Sequence, residues 1–525
     1  MTMPAAPPTD DEERAIVAFM RTPATYGDGV ERVEVIETHI ARVFLAGDEA
    51  YKVRKRVHLR FVDFSTLHAR HSAAIREIEL NQPHAPHIYL GLVPIVPTPE
   101  GGLALGVDGE PIEWAVRMRR FPQEAVLSHR EDEGPLSEDL AKSLADMISR
   151  YHQDSPIRDA CDGALILAPV VQQLSSALSY GNAEVADALV ATFERVSPIL
   201  TERGNAGCVR RCHGDLHLGN IVLVDGIPVP FDALEFSEAL ATIDVLYDLA
   251  FLLMDLDARN DRQAANVVFN AYVAFEPVGG EIEGLACLPL FLACRAAVRA
   301  VVAMARTEQV AAEEQGELQA EIRRNAALAR AYLSPSPPLV IAVGGLSGTG
   351  KSTLAAGIAP CIGRAPGALL VRSDVERKRL FGVPETQRLE RQHYRVGTAE
   401  RVYSIVEDKA RRSLGAGHAT IVDAVFAKPE ERDAIEAIAR QSGCDFIGLW
   451  LTAPAELLIG RVEQRRGDAS DADRRVVKEQ LRYDLGDIGW VSIDASGTPS
   501  ESAEEARAAL RAAGITLVER APPRP

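Results

Sequence analysis

The sequence predicts two domains of different class: an α+β domain over residues 1–333 and an α/β domain with a parallel sheet over residues 339–525. Three observations predict this. Strand-like segments and hairpin turns come first and long helical segments follow them, whereas beyond residue 339 apolar strands alternate with helices, the pattern of a parallel sheet wound on both sides. Between the two lies Ser334-Pro335-Ser336-Pro337-Pro338, a short stiff linker over 334–338. Each part also carries its own set of residues suited to phosphate chemistry.

The first domain opens with Val33–Ile36, Arg42–Ala46 and Ala50–Val53, strands joined at the turn Gly47-Asp48. Lys52 sits in the last of them. A Lys so placed can hold the α- and β-phosphates of ATP when a Glu on the next helix orients it. That helix is predicted over Leu67–Asn81 and offers Glu77 and Glu79 on nearly opposite faces. Glu113–Met118 is a further strand, and the segments Leu136 to His152 and Pro169 to Ser197 carry helical spacing.

The stretch His213-Gly214-Asp215-Leu216-His217-Leu218-Gly219-Asn220 then sets an Asp five residues before an Asn. At that spacing an Asp can receive or orient an acceptor hydroxyl proton while an Asn holds Mg2+. Ile221–Val224, the turn Asp225-Gly226 and Ile227–Phe231 read as a hairpin that returns Asp232 beside the loop as the other metal ligand.

His213, Asp215, Asn220 and Asp232 together resemble the signature of the aminoglycoside phosphotransferase and choline kinase-like families. The resemblance covers roughly residues 25 to 330 and implies a protein-kinase-like fold of two lobes acting as a small-molecule kinase. It favours Glu77 over Glu79 as the partner of Lys52. It places Arg119-Arg120-Phe121-Pro122 where adenine is received and gives Asp248, at the start of a helix, the task of bonding loop backbone. No Gly-x-Gly-x-x-Gly loop precedes the lysine strand; Thr38–Arg42 stands there instead.

The second domain starts on the apolar strand Leu339–Val343 and continues Gly345-Leu346-Ser347-Gly348-Thr349-Gly350-Lys351-Ser352, a full Walker A motif, with Thr353 opening a helix to Ile358. Its backbone N–H groups cradle phosphate at a helix N-terminus, Lys351 reaches the β- and γ-phosphates, and the Ser352 hydroxyl binds Mg2+. Leu369–Asp374 ends a strand in an Asp with Arg377 three residues on, Ala419–Asp423 ends a third strand in Asp423, suited to magnesium through water, and Ile447–Leu451 gives a fourth. The arrangement is similar to P-loop kinases such as the polynucleotide, gluconate and shikimate kinases. That likeness implies that Asp374 binds or deprotonates an acceptor held by Arg377, and that Arg461, Arg465 and Arg466 form a mobile lid that neutralises the transferred phosphoryl group. The whole order resembles the bifunctional aminoglycoside phosphotransferase and zeta-toxin-like ATP-binding proteins of bacteria.

Composition limits the partners. The net charge of −18 resides in the first part: residues 1–338 carry 30 Lys and Arg against 49 Asp and Glu, residues 339–525 27 against 26. An acidic first part disfavours nucleic acid and draws cationic small molecules, or only keeps the protein soluble. Met1–Arg14 lacks the basic and apolar regions of a signal peptide, apolar runs such as Leu285–Cys294 are shorter than a membrane span, and seven scattered cysteines suit a reducing compartment, so a cytoplasmic protein without a membrane partner is expected. Cys208 and Cys212 lack a second Cys/His pair and read as buried small hydrophobes. Both domains are thus expected to use ATP and Mg2+ on hydroxyl-bearing small molecules. For the second, a nucleotide-binding regulator and a nucleic-acid 5′-kinase stay open.

Overall fold

The computed structural model describes residues 10–59, 62–130, 134–158, 161–307, 315–464 and 469–518. They form two compact units, one of residues 1–134, 150–158 and 209–248, the other of residues 135–149, 159–208 and 249–525.

In the first unit six antiparallel strands lie in the order Val33–Glu37, Ala41–Ala46, Glu49–Arg54, Glu113–Arg119, Tyr89–Pro97, Leu103–Leu105. Alternation along Glu49–Arg54 sends Tyr51 and Val53 into one apolar layer with Phe44, and Ala50 into another with Ala74 of the helix Leu67–Asn81. Lys52 and Arg54 share the parity of Ala50, so they too face that helix, whose first turn is capped by Thr66. The strand Tyr89–Pro97 is not evident in the sequence, because Pro94 and Pro97 interrupt its pattern. The sheet accommodates them: Leu103–Leu105 pairs only with residues 95–97, which leaves the first half of the strand a single neighbour, Glu113–Arg119. Ile221–Val224 and Ile227–Pro230 form the expected hairpin, turned by Asp225 and Gly226, both left-handed.

In the second unit the expected helix Pro169–Ser197 is two helices, Gly163–Leu178 and Ala183–Asn205, broken at Gly181 and Asn182. Their backbones touch where Gly163 meets Leu200, and a Cβ there would come within 2.3 Å of the Leu200 carbonyl oxygen. The apolar run after Leu285 also extends further than expected. It becomes the helix Leu288–Thr307, long and apolar enough to cross a membrane, yet 67% of its most apolar stretch is buried in the fold.

The same unit holds five parallel strands in the order Leu369–Arg372, Thr420–Asp423, Leu339–Gly345, Asp445–Thr452, Val491–Asp494. Every residue of the central strand Leu339–Gly345 is buried, as in a sheet covered on both faces. The fifth strand, polar and largely exposed, gave no signal in the sequence. The edge at Leu369–Arg372 is closed by the helix Arg262–Phe275. Asn270 accepts from the Leu370 N–H at 2.7 Å and, with Asn266, donates to the Ala368 carbonyl at 3.2 Å. Arg262 donates to Pro360 and Gly363 carbonyls at 2.7 and 3.0 Å.

His418 is buried here, its Nε2 3.0 Å from the Gly367 carbonyl and its ring 5.3 Å from Phe269. Burial depresses it from 6.5 to about 4, so the folded protein holds it neutral. The unfolded chain binds a proton below its ordinary value and the folded chain does not until about pH 4, so this residue makes stability fall as pH drops across that window. Thermal midpoints measured between pH 7 and 4 should decline, and His418→Gln should flatten part of the decline; an identical slope in the variant would remove His418 as the source.

Candidate active sites

The first site is built on a hydrogen-bonded loop. The Asp248 carboxylate accepts from the His213 and Gly214 N–H groups at 3.1 and 2.9 Å and meets His152 Nε2 at 3.2 Å. Cys212 Sγ stands in the same buried cluster with His152 and Asp248, their potential ligand atoms within 4.8 Å of one another. The sequence hides this grouping because His152 comes from a distant helix. Asp248 already takes hydrogen bonds from the loop, so the cluster fixes its backbone. His213 turns its Nε2 to the Phe231 carbonyl at 3.0 Å, tying the loop to the returning strand, and burial lowers its pKa in spite of Asp248 and Asp215. The ring is neutral near pH 7.

This leaves Asp215 and Asp232 toward the open side, their side chains 41% and 44% exposed. Asn220 Nδ2 donates to the Asp215 carbonyl at 3.0 Å and to its carboxylate at 3.1 Å, so the spacing of five closes on itself. Asp232 is left-handed at φ 60°, a conformation that Asp tolerates better than most residues. Tyr89 accepts its N–H at 3.0 Å and Asn81 accepts that of Ala233 at 2.9 Å. Lys52 Nζ lies 3.0 Å from Glu77 and 2.5 Å from Asp232. Burial opposes the charge on Lys52, but Asp232, Glu77 and Glu235 outweigh it and hold the ammonium above its usual range. Burial likewise opposes the charge on Asp232, and Lys52 keeps that carboxyl below its usual range. Glu79 instead pairs with Arg76 at the surface. Sequence reasoning missed Arg54 and Glu235, both buried, although strand alternation alone sets Arg54 beside Lys52.

The second site surrounds a cavity of about 790 Å³ lined by Ser347, Gly348, Gly350, Lys351, Ser352, Thr353, Asp374, Arg377 and Asp423 among others. Gly345, Leu346 and Thr349 complete the loop, with the Thr349 hydroxyl donating to the Leu346 carbonyl at 2.8 Å. Gly348 has φ +89° and a Cβ there would lie 2.6 Å from the Leu458 carbonyl oxygen, so no side chain fits. Lys351 Nζ folds back to the Leu346 carbonyl at 3.0 Å, and the Ser352 hydroxyl donates to Asp423 at 2.5 Å. Asp374 lies two residues past the end of its strand, on the first turn of the helix Ser373–Leu380. One turn on, Arg377 stacks 4.8 Å from the Tyr394 ring.

The lid expectation fares differently. Arg461 donates to the Gly497 carbonyl at 3.1 Å and is not among the residues lining the cavity, while Arg465 and Arg466 lie outside the described residues. The helix Arg474–Gln480 brings Arg475 and Gln480 instead, and Gln480 accepts from the Ser347 N–H of the phosphate loop at 2.8 Å. Asp471 closes the far wall, bonded to Lys378 at 2.7 Å, Tyr394 at 2.5 Å and the Leu389 N–H at 2.8 Å. Arg388, Arg475, Gln480 and Asp471 were not anticipated. They come from segments whose spacing from the motifs carries no constraint.

Residues 39–285 match the family model of the phosphotransferase enzyme family and residues 340–484 that of an AAA domain. Two uncharacterized proteins, one of Mycobacterium tuberculosis and one of Mycobacterium bovis, are 30% identical over 494 residues, which is 90% of this chain and 94% of theirs. The chain therefore belongs to the same family as these mycobacterial proteins, and it joins a part that matches the phosphotransferase enzyme family to a part that matches an AAA domain. Among solved structures it is similar to a GDP complex of an aminoglycoside 2′-phosphotransferase, with 14% identity, 61% of this chain and 99% of that one covered, and a TM-score of 0.38. It is also similar to a gluconokinase from Sinorhizobium meliloti, with 22% identity, 34% and 93% covered, and a TM-score of 0.25.

Proposed function

We propose that this protein is an ATP- and Mg2+-dependent phosphotransferase with two nucleotide sites, residues 1–333 and 339–525 each moving the γ-phosphoryl group of ATP to a hydroxyl of a small molecule. The observation that carries this reading is the convergence of Lys52 on both Glu77 and Asp232, with Asp215 and Asn220 beside them. A phosphate-binding cation, metal-binding oxygens and an open carboxylate suited to a hydroxyl proton then share one site. The donor sets fit magnesium: an Asp carboxylate with an Asn side-chain oxygen in the first site, a Ser hydroxyl against an Asp carboxylate in the second. Bound magnesium would neutralise charge on the β- and γ-phosphates. Lys52 and Lys351 would hold phosphate oxygens, and Asp215 and Asp374 would each take a hydroxyl proton. Dependence on ATP would suit a cytoplasmic protein.

The acceptor of the first site is, in this reading, a sugar, amino sugar or aminoglycoside-like molecule. The excess of acidic residues in 1–338 supports the cationic members. An ADP-release screen across these compounds, nucleosides and 5′-hydroxyl oligonucleotides tests it, run with Lys351→Ala so that only the first site turns over. For a cationic acceptor kcat/KM should fall as ionic strength rises, since at physiological salt attraction between charges fades beyond about 8 Å. Phosphorylation of neutral acceptors only, indifferent to salt, would overturn the cationic class.

A second reading makes the P-loop part a nucleotide-binding regulator. The closure of the strand before Asp374 by Asn266 and Asn270 favours it, because that strand's position then depends on the helix Arg262–Phe275. Loss of first-site activity in Lys351→Ala would select this reading.

A further inference from the structure

Five charged side chains meet beneath the first site: Lys52 and Arg54 from one strand, Glu77 from the facing helix, and Asp232 and Glu235 from the segment after the hairpin. Arg54 is 4% exposed, Glu77 0% and Glu235 8%. The Glu77 carboxylate divides its oxygens, Oε1 to Lys52 at 3.0 Å and Oε2 to Arg54 at 2.8 Å. The same Nη2 of Arg54 reaches Glu235 at 2.6 Å and the Ala73 carbonyl at 3.2 Å. One nitrogen thus binds the helix and the segment that carries Asp232.

We propose that Arg54 and Glu235 are positioning residues for nucleotide binding at this site: their ion pair clamps the Asp232 segment to Glu77, so that Lys52 and Asp232 are held side by side. This inference rests on reading the site as a nucleotide site. Three features separate the pair from a merely buried salt bridge. Glu235 follows Asp232 by three residues, and Asp232 holds a left-handed conformation, of a kind that persists where neighbours fix it. The guanidinium leaves Nε and Nη1 buried without a partner among the described residues, a poor use of its donors if stability were its only role. Finally, two cations among three carboxylates leave the cluster one negative charge in excess, which suits the arrival of a divalent ion.

Removing Arg54 alone strands two buried carboxylates and can unfold the protein. The test therefore uses Arg54→Met/Glu235→Gln, which removes the ion pair at constant net charge and leaves Glu77 its bond to Lys52, beside Arg54→Lys, all in the Lys351→Ala background. Melting temperature, affinity for MgATP by calorimetry, and the KM for ATP are measured. The double variant is expected to melt near its parent yet bind MgATP about 10- to 100-fold more weakly, as when the groups supporting metal ligands are lost. Arg54→Lys should recover part of the affinity. A folded double variant with parental MgATP affinity would overturn the proposal and reduce the pair to structure. A parent that binds no MgATP would instead sink the nucleotide-site reading itself, and the inference with it.

Discussion

Asp215→Asn should lower first-site transfer by about 10²- to 10⁴-fold in kcat, the usual scale for losing a general base, while affinity for MgATP should stay close to that of the parent. The asymmetry follows from where the two open carboxylates are tied. Asp232 is bonded to Lys52 at 2.5 Å, whereas Asp215 meets Asn220 at 3.1 Å and His217 at 3.5 Å. An amide in place of the Asp215 carboxylate keeps the shape, and the Asn220 bond to the backbone carbonyl at 3.0 Å is untouched. What disappears is the capacity to accept a proton. The measurement is kcat and KM for ATP in the Lys351→Ala protein with an acceptor from the screen. Undiminished turnover would leave Asp215 a turn residue, and a large rise in the KM for ATP would move it to the nucleotide side of the site.

Residues joined by short, fixed spacings were legible in the sequence. The five-residue step from Asp215 to Asn220 and the eight-residue run Gly345–Ser352 restrict the chain so tightly that the geometry follows from the motif. Lys52 and Glu77 were legible for another reason: one strand and one helix, each with its own period, can face each other in few ways. The same period-two argument applies to Arg54, but a second cation two residues from Lys52 has no counterpart in the kinase pattern and so passed unnoticed. Spacing could not reveal Asp471, Arg475 or Gln480, since a long connection lets a segment arrive anywhere on the phosphate loop. Arg461 illustrates the converse. Its helix was predicted, yet which side of a short helix faces the cavity depends on packing, and Leu458 of that helix takes the place against Gly348. Composition likewise marked Ser334–Pro338 as a linker but carried no trace of the asparagine contacts that join the preceding helices to the Leu369–Arg372 strand.

Asp374→Asn should lower second-site transfer on the same scale of about 10²- to 10⁴-fold, and here the pH profile supplies an independent check. Burial is the main cause that pushes the Asp374 carboxyl above the ordinary carboxylate range, and the nearby Asp423 charge adds to it, while Ser470, Lys351 and Arg377 pull the other way. A base must be unprotonated to take the acceptor proton, so kcat/KM falls as pH drops through this raised value. The acid limb should therefore be displaced upward from that of a free carboxylate. Arg377 gives the sign a second reading. Its cation favours the carboxylate, so Arg377→Met should move the acid limb to still higher pH, over and above any loss of acceptor binding seen in KM. The profile is to be recorded in the Asp215→Asn background, where first-site transfer is suppressed. An acid limb at the ordinary carboxylate value, or one that does not move in Arg377→Met, would mean that Asp374 binds the acceptor without taking its proton.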